Sequence, residues 1–295
     1  MKALKRLVTT CAVISAIAGA SSTAQASSID FLENWTLNLS NAGQGLTGAV
    51  TGIDQILYKG LTHVAVNDLD QSGGASVGDT FRVDGLTYTT DFFGGGGSLS
   101  NAGLNSNYEL TMKFSVGGQF VSANPDGSLT FAHNTAGGGG TLDLYLDNLS
   151  DGVKANTLNA VGFADGANIA SFALVTNMPG TGGPFWPLSL NGSDDAFFQL
   201  TSQMASVFQN DLGENLNSAL SAVWTRSDFS TRGVVVPNTT NWEAYFGTGS
   251  AAVDPLNFFV DENGDARVVT PEPGTIALLG LGLAGLGIFS RRKRQ

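Results

Sequence analysis

Leu142, Leu144 and Leu146 alternate with Asp143 and Tyr145, a period of two that sets leucines on one face of an extended strand and a solvated face opposite. The same strand-like patterning marks residues 35–39, 55–66, 80–89, 108–121, 127–132, 141–146, 169–176 and 257–260, with Gly, Asn, Asp and Ser filling nearly every gap. A chain patterned in this way folds as an all-β protein, and the expected architecture is an antiparallel β-sandwich or jelly roll. Pro125-Asp126-Gly127 is a turn. The glycine runs 94–97 and 137–140 read as mobile loops, and Asp261-Glu262-Asn263-Gly264-Asp265 reads as an acidic hairpin turn. One segment departs from the period. Phe197, Leu200, Met204, Val207 and Phe208 follow an acidic turn at helical spacing, so a short helix is expected there, although 197–201 suits a strand equally.

The two ends have a different composition. Lys2, Lys5 and Arg6 precede an apolar stretch from Leu7 to Ala20, and Ala24-Gln25-Ala26 is an A-x-A site. This reads as an N-terminal signal helix, residues 1–26, cleaved by signal peptidase after Ala26. At the other end Gly280, Gly282 and Gly285 spell G-x-G-x-x-G, but only ten residues follow, too few for a dinucleotide-binding unit of ~30 residues. The uncharged run 275–289 reads instead as a short transmembrane helix, reaching roughly 22 Å at ~1.5 Å per residue, with the glycines packing it closely against a partner. Arg291, Arg292, Lys293 and Arg294 would hold its end in the cytoplasm.

Pro271-Glu272-Pro273, then the glycine-rich apolar run, then the terminal basic cluster resemble the PEP-CTERM sorting signal of exported Gram-negative bacterial proteins. The resemblance implies that residues 270–295 are a sorting signal and that an exosortase recognises Pro271, Glu272 and Pro273 and cleaves nearby. It also implies transient inner-membrane anchoring, a final place at the cell surface or outside the cell, and an association with exopolysaccharide, biofilm and floc formation. Thr51-Gly52-Ile53-Asp54-Gln55-Ile56 and Val77-Gly78-Asp79-Thr80-Phe81 resemble stretches of flocculation-associated members.

Residues 27–269 form the expected exported β-rich domain, joined to the signal by a flexible stretch. They carry seven Lys/Arg against twenty-four Asp/Glu, a net of −17, which repels nucleic acid and anionic membrane and favours cations. The single cysteine, Cys11, falls in the signal peptide, so the exported domain is held by its packed core without disulfides or thiolate metal sites.

The most specific local constellation is Asp68-Leu69-Asp70-Gln71-Ser72-Gly73, with Asp79 twelfth from Asp68. Asp68, Asp70, Ser72 and Asp79 fall at the 1, 3, 5 and 12 positions of an EF-type calcium loop, with glycine at 6. An ion-free acidic turn between two strands fits the residues equally well, because Asp replaces the bidentate Glu and the flanks look like strands. His63, in an apolar strand, reads as a structural histidine. No G-x-S-x-G, H-E-x-x-H or Walker motif appears, so a non-enzymatic role is expected. The alternative is a secreted glycan-acting hydrolase or carbohydrate-binding module. For the latter, Trp186, Trp224, Trp242 and Tyr245 offer stacking surfaces, with a core role favoured for any one of them.

Overall fold

A computed structural model describes residues 31–99, 103–134, 139–175, 179–182, 191–216, 221–230, 236–254 and 256–269. The expected signal peptide with Ala24 and Ala26, the sorting motif Pro271, Glu272 and Pro273, the apolar run after it, Trp186 and most of the 137–140 glycine run lie outside these residues. Among the described residues no helix is long and apolar enough to cross a membrane.

The expected all-β antiparallel architecture is the one observed. In chain order the strands are β1 (Trp35–Asn38), β2 (Ala49–Ile53), β3 (Gln55–Asn67), β4 (Thr80–Gly94), β5 (Gly97–Ser98), β6 (Glu109–Ala123) and β7 (Leu129–His133). They continue with β8 (Gly140–Asp147), β9 (Ala167–Val175), β10 (Pro179–Gly182), β11 (Asn191–Gln203), β12 (Phe208–Gln209), β13 (Ala222–Ser230) and β14 (Asn257–Val269). Pairing runs β3-β4-β6-β8-β9-β11-β13-β14 and returns to β3, so the two sheets of the expected sandwich are joined at both edges into a ring. β6 forks. Its first half pairs with β8, and its second half, from Gly118, pairs with β7, which reaches β11 through β10.

Alternation decides what fills the ring. Ile56, Tyr58 and Thr62 of β3, Leu142, Leu144 and Leu146 of β8, and Ala196, Phe198 and Leu200 of β11 are all buried. At one end the small sheet β12-β1-β2 closes the core, burying Trp35, Leu37, Ile53 and Phe208. At the other end Val66, Phe81, Phe120, Leu129 and Phe131 form a separate apolar cluster. A third cluster lies on the outer face, where helix α1 (Thr239–Phe246) presses Trp242 onto Leu61, Leu86 and Phe259. The Asn238 side chain caps that helix by accepting from the Asn241 N–H at 3.1 Å.

Several sequence expectations are corrected. Residues 194–203 are strand β11 rather than helix, because β13 and β9 pair on its two sides and the period-two set Ala196, Phe198 and Leu200 outweighs the helical spacing. Asp261–Asp265 is no turn: it lies inside β14, extended between β13 and β3. Gly95 and Gly96 form a two-residue turn between β4 and β5 rather than a mobile loop. Among the described residues β14 stays paired as far as Val269, opposite Ala222, so no flexible join is seen before Thr270.

Because β14 runs antiparallel to β3, Val269 leaves the ring at the end where β3 begins. The Asp68–Asp79 loop sits at the opposite end, one strand length away, or about 40 Å for a thirteen-residue strand.

Gly60 sits where β3 crosses closely over β4: a Cβ there would overlap the Leu86 carbonyl oxygen and the Thr87 Cα, both backbone atoms that cannot swing aside. Gly60→Ala is expected to cost about 1–3 kcal/mol. It should appear as a lower urea midpoint with an unchanged m value, and an unshifted midpoint would show that the strands part freely.

Candidate functional site

Two sites emerge, one where the sequence placed it and one inside the ring. The first is the loop joining β3 to β4. Asp68 follows the last residue of β3 and Asp79 precedes the first of β4, so the twelve residues span the connection between two paired strands. The carboxylate oxygens of Asp68, Asp70 and Asp79 lie within 4.8 Å of one another. Backbone amides orient them: Ser72 and Gly73 N–H donate to Asp68 at 3.0 and 2.8 Å, and Leu69 and Ser76 N–H donate to Asp79, both at 2.8 Å. Ser72 N–H donates to Asp70 at 2.9 Å, as does the Ser76 hydroxyl. Hydrogen bonding from Ser72, then Ser76, lowers the Asp70 carboxyl to about 2, so it stays ionised throughout the physiological range.

Gly73 takes a left-handed φ of 83°, as the sharp bend at the sixth loop position demands. The Ser72 hydroxyl donates to the Gly74 carbonyl at 3.0 Å, which leaves its oxygen able to accept or ligate. Asp79 is fully buried and Asp70 exposed, so the cluster has an anchored side and an open side. The three carboxylates are donors of the kind a hard oxygen-seeking cation takes, while the Ser72 hydroxyl is engaged with Gly74. The helices of an EF hand are replaced by the two strands.

The second site was not legible. Between the main core and the apolar cluster of Phe81, Phe120 and Phe131 lies a partly open cavity of about 70 Å³ with mostly apolar walls and a band of polar groups. Glu262 accepts from the Thr62 hydroxyl and, at 2.7 Å, from Ser227, and the Tyr58 and Ser227 hydroxyls are 2.8 Å apart. His133 Nε2 lies 2.6 Å from Asp194 Oδ2. Thr87 Oγ1 and Asp194 Oδ1 have no hydrogen-bond partner among the described residues. The cavity has room for a few waters, which would meet both.

Burial pushes the Glu262 carboxyl up to about 7 despite the hydrogen bonds that favour its ionised form. Burial also opposes charge on His133, but the Asp194 carboxylate more than offsets this, so the imidazole titrates above its usual value. His63 behaves as expected of a structural histidine: it is buried, and its Nε2 lies 2.8 Å from the Ala252 carbonyl oxygen.

Glu109, Asp147 and Asp165 also converge, but Glu109 accepts the Ala155 N–H at 2.9 Å, and burial raises it to about 7. Of the aromatics proposed for stacking, Trp242 is wholly buried. Tyr245 packs beside it and receives the Phe163 N–H at 3.4 Å, and half-buried Trp224 lies against Phe31 at 5.3 Å.

The residue where β14 stops is also where a known family begins: residues 269–294 match the family model of the PEP-CTERM protein-sorting motif. The chain carries a C-terminal sorting signal. The PEP-CTERM motif implies an exported protein processed by an exosortase. No curated protein and no solved structure matches the chain.

Buried carboxyls inside the cavity and outside it make stability depend on pH. Glu262 and Glu109 bind their protons more tightly folded than unfolded, so between about pH 4.5 and 7 the folded state holds more protons and stability falls as pH rises. The raised His133 acts in the same direction. The melting temperature should drop by roughly 5 °C from pH 5 to pH 7.5. Glu262→Gln should flatten part of that slope, and a melting temperature rising over this interval would overturn the assignment.

Proposed function

We propose that the exported barrel is a cell-surface or matrix protein that acts without catalysis in exopolysaccharide-associated cell aggregation, the process behind biofilm and floc formation, with calcium held by Asp68, Asp70, Ser72 and Asp79. The observation that carries the reading is the acidic loop itself: three carboxylates gathered within 4.8 Å on a tight connection, one strand length from where the chain enters its sorting signal. In a domain of net charge −17 this concentration of like charge calls for a cation. Extracellular calcium at ~10⁻³ M suits a site of this loose construction. Exposed Asp70 leaves the open side of such an ion free for hydroxyl or carboxylate oxygens of a polysaccharide.

Support for a role without catalysis comes from the placing of the unusual carboxylates. Glu262 and Asp194 line a cavity of only about 70 Å³ between two apolar clusters, too small for a glycan chain. The half-buried and buried aromatics serve packing.

Calcium should raise the melting temperature of the exported protein relative to chelator, by about 2.7 kcal/mol of added stability at a hundred times its dissociation constant. Magnesium should do less, because it demands octahedral geometry and dehydrates reluctantly. Asp70→Ala should remove the calcium effect; equal melts with chelator and millimolar calcium would sink the site. In parallel, purified exopolysaccharide should retain the protein in calcium and release it in chelator, with no reducing sugar formed. Sugar release abolished by an Asp or Glu substitution would establish the hydrolase instead.

A further inference from the structure

Two glycines shape the cavity between the main core and the Phe81 cluster. The Phe114 ring lies over Gly85, its partner across β6 and β4, and the hydroxyl end of Tyr58 lies over Gly264, its partner across β3 and β14. A Cβ on either glycine would overlap the ring, so both rings lie along the wall and the middle stays unfilled. Val83 and Phe114 line the cavity at mid-strand yet keep part of their surface uncovered, which leaves apolar area that no side chain packs. Beside that area two acceptors have no partner among the described residues. Thr87 is fully buried with its hydroxyl unmatched, and Asp194 gives Oδ2 to His133 at 2.6 Å but leaves Oδ1 unmatched. The other polar groups engage one another: Glu262 with Thr62 and Ser227, and Ser227 with Tyr58.

The cavity therefore lacks donors, and it lacks them next to an uncovered apolar wall. Two carboxyls and one imidazole line it, an acidic balance that repels an anionic head group. A hydroxyl head would bring one donor, whereas an ammonium brings three and the charge that a carboxylate favours. At roughly 10–15 Å³ per water-sized group the space takes about five such groups, the size of a chain of about four carbons with its nitrogen. We propose that this cavity is a binding site for a short primary alkylamine, its chain against Val83, Phe114 and Leu142 and its ammonium donating to Asp194 Oδ1 and, directly or through a water, to Thr87 Oγ1. Because the cavity is partly open, so small a solute enters without parting the strands.

The test titrates the exported protein with n-butylamine, n-butanol and butyrate by calorimetry and follows melting in parallel. For ligands this small a dissociation constant between micromolar and millimolar is expected. The amine should bind saturably and about tenfold or more tighter than the alcohol, and butyrate should not bind. NMR cross-peaks should join the amine chain to the Val83 methyls. Thr87→Val removes an unmatched buried hydroxyl, so it should raise the melting temperature of the free protein while weakening the amine by about threefold or more. A threonine with a structural role alone would give the first change without the second, and that result overturns the assignment of the head group. Ala196→Leu fills the cavity from β11 and should abolish binding. Unchanged amine binding in that variant, an alcohol or butyrate that binds as tightly as the amine, or no saturable heat up to roughly 50 mM amine would overturn the site.

Discussion

The hydrogen bonds between β4 and β6, together with those between β14 and β3, turn a run of hairpins into a ring, and the other features depend on that closure. An open sheet of this size would present two edges of unpaired amides and carbonyls, each a template for another chain. Closure removes the edges and creates an interior that alternate residues of every strand must fill. Residues 27–269 contain no cysteine, and there the backbone pairing links residues far apart in sequence, such as Phe31 with Val269, as a disulfide would.

The same closure traps polar groups. Thr62, Ser227, Glu262, His133 and Asp194 lie on inward positions of four strands and β7, where Thr62, Glu262 and His133 are buried and Ser227 and Asp194 keep only part of their contact with water. Their mutual hydrogen bonds satisfy most of them, and the raised titration of Glu262 records what remains of the desolvation cost. By contrast the Asp68–Asp79 loop meets solvent on one side, and hydrogen bonds from Ser72 and Ser76 lower the carboxyl of exposed Asp70 to about 2. Acidic residues of one chain thus follow two regimes, set by which side of the ring wall they occupy.

What could be read from the sequence was what is local. The strands containing Leu142–Leu146 and Gln55–Val66 declared themselves by alternation, and the 1, 3, 5, 12 spacing of the loop needed no knowledge of the fold. The chamber was hidden because its residues come from β3, β7, β11, β13 and β14, which only the ring brings together. Glu262 was further disguised: Asp-Glu-Asn-Gly-Asp has the composition of a turn, and pairing on both sides of β14 overrode it. β11 was misread for a related reason, its Phe197 and Leu200 falling by coincidence at helical intervals with Met204, Val207 and Phe208 beyond it. The short helix α1 was missed because the single buried face it needs is one tryptophan wide.

The position of β14 in the chain sets the timing of assembly. Among the described strands it is the last in the chain, yet it stands between β13 and β3, which is among the first. Until residues 257–269 are available to pair, β3 and β13 each offer a bare edge, and the many nonlocal pairings make closure slow. A ring sealed by its last strand therefore keeps two aggregation-prone edges open until nearly the whole described chain has been made.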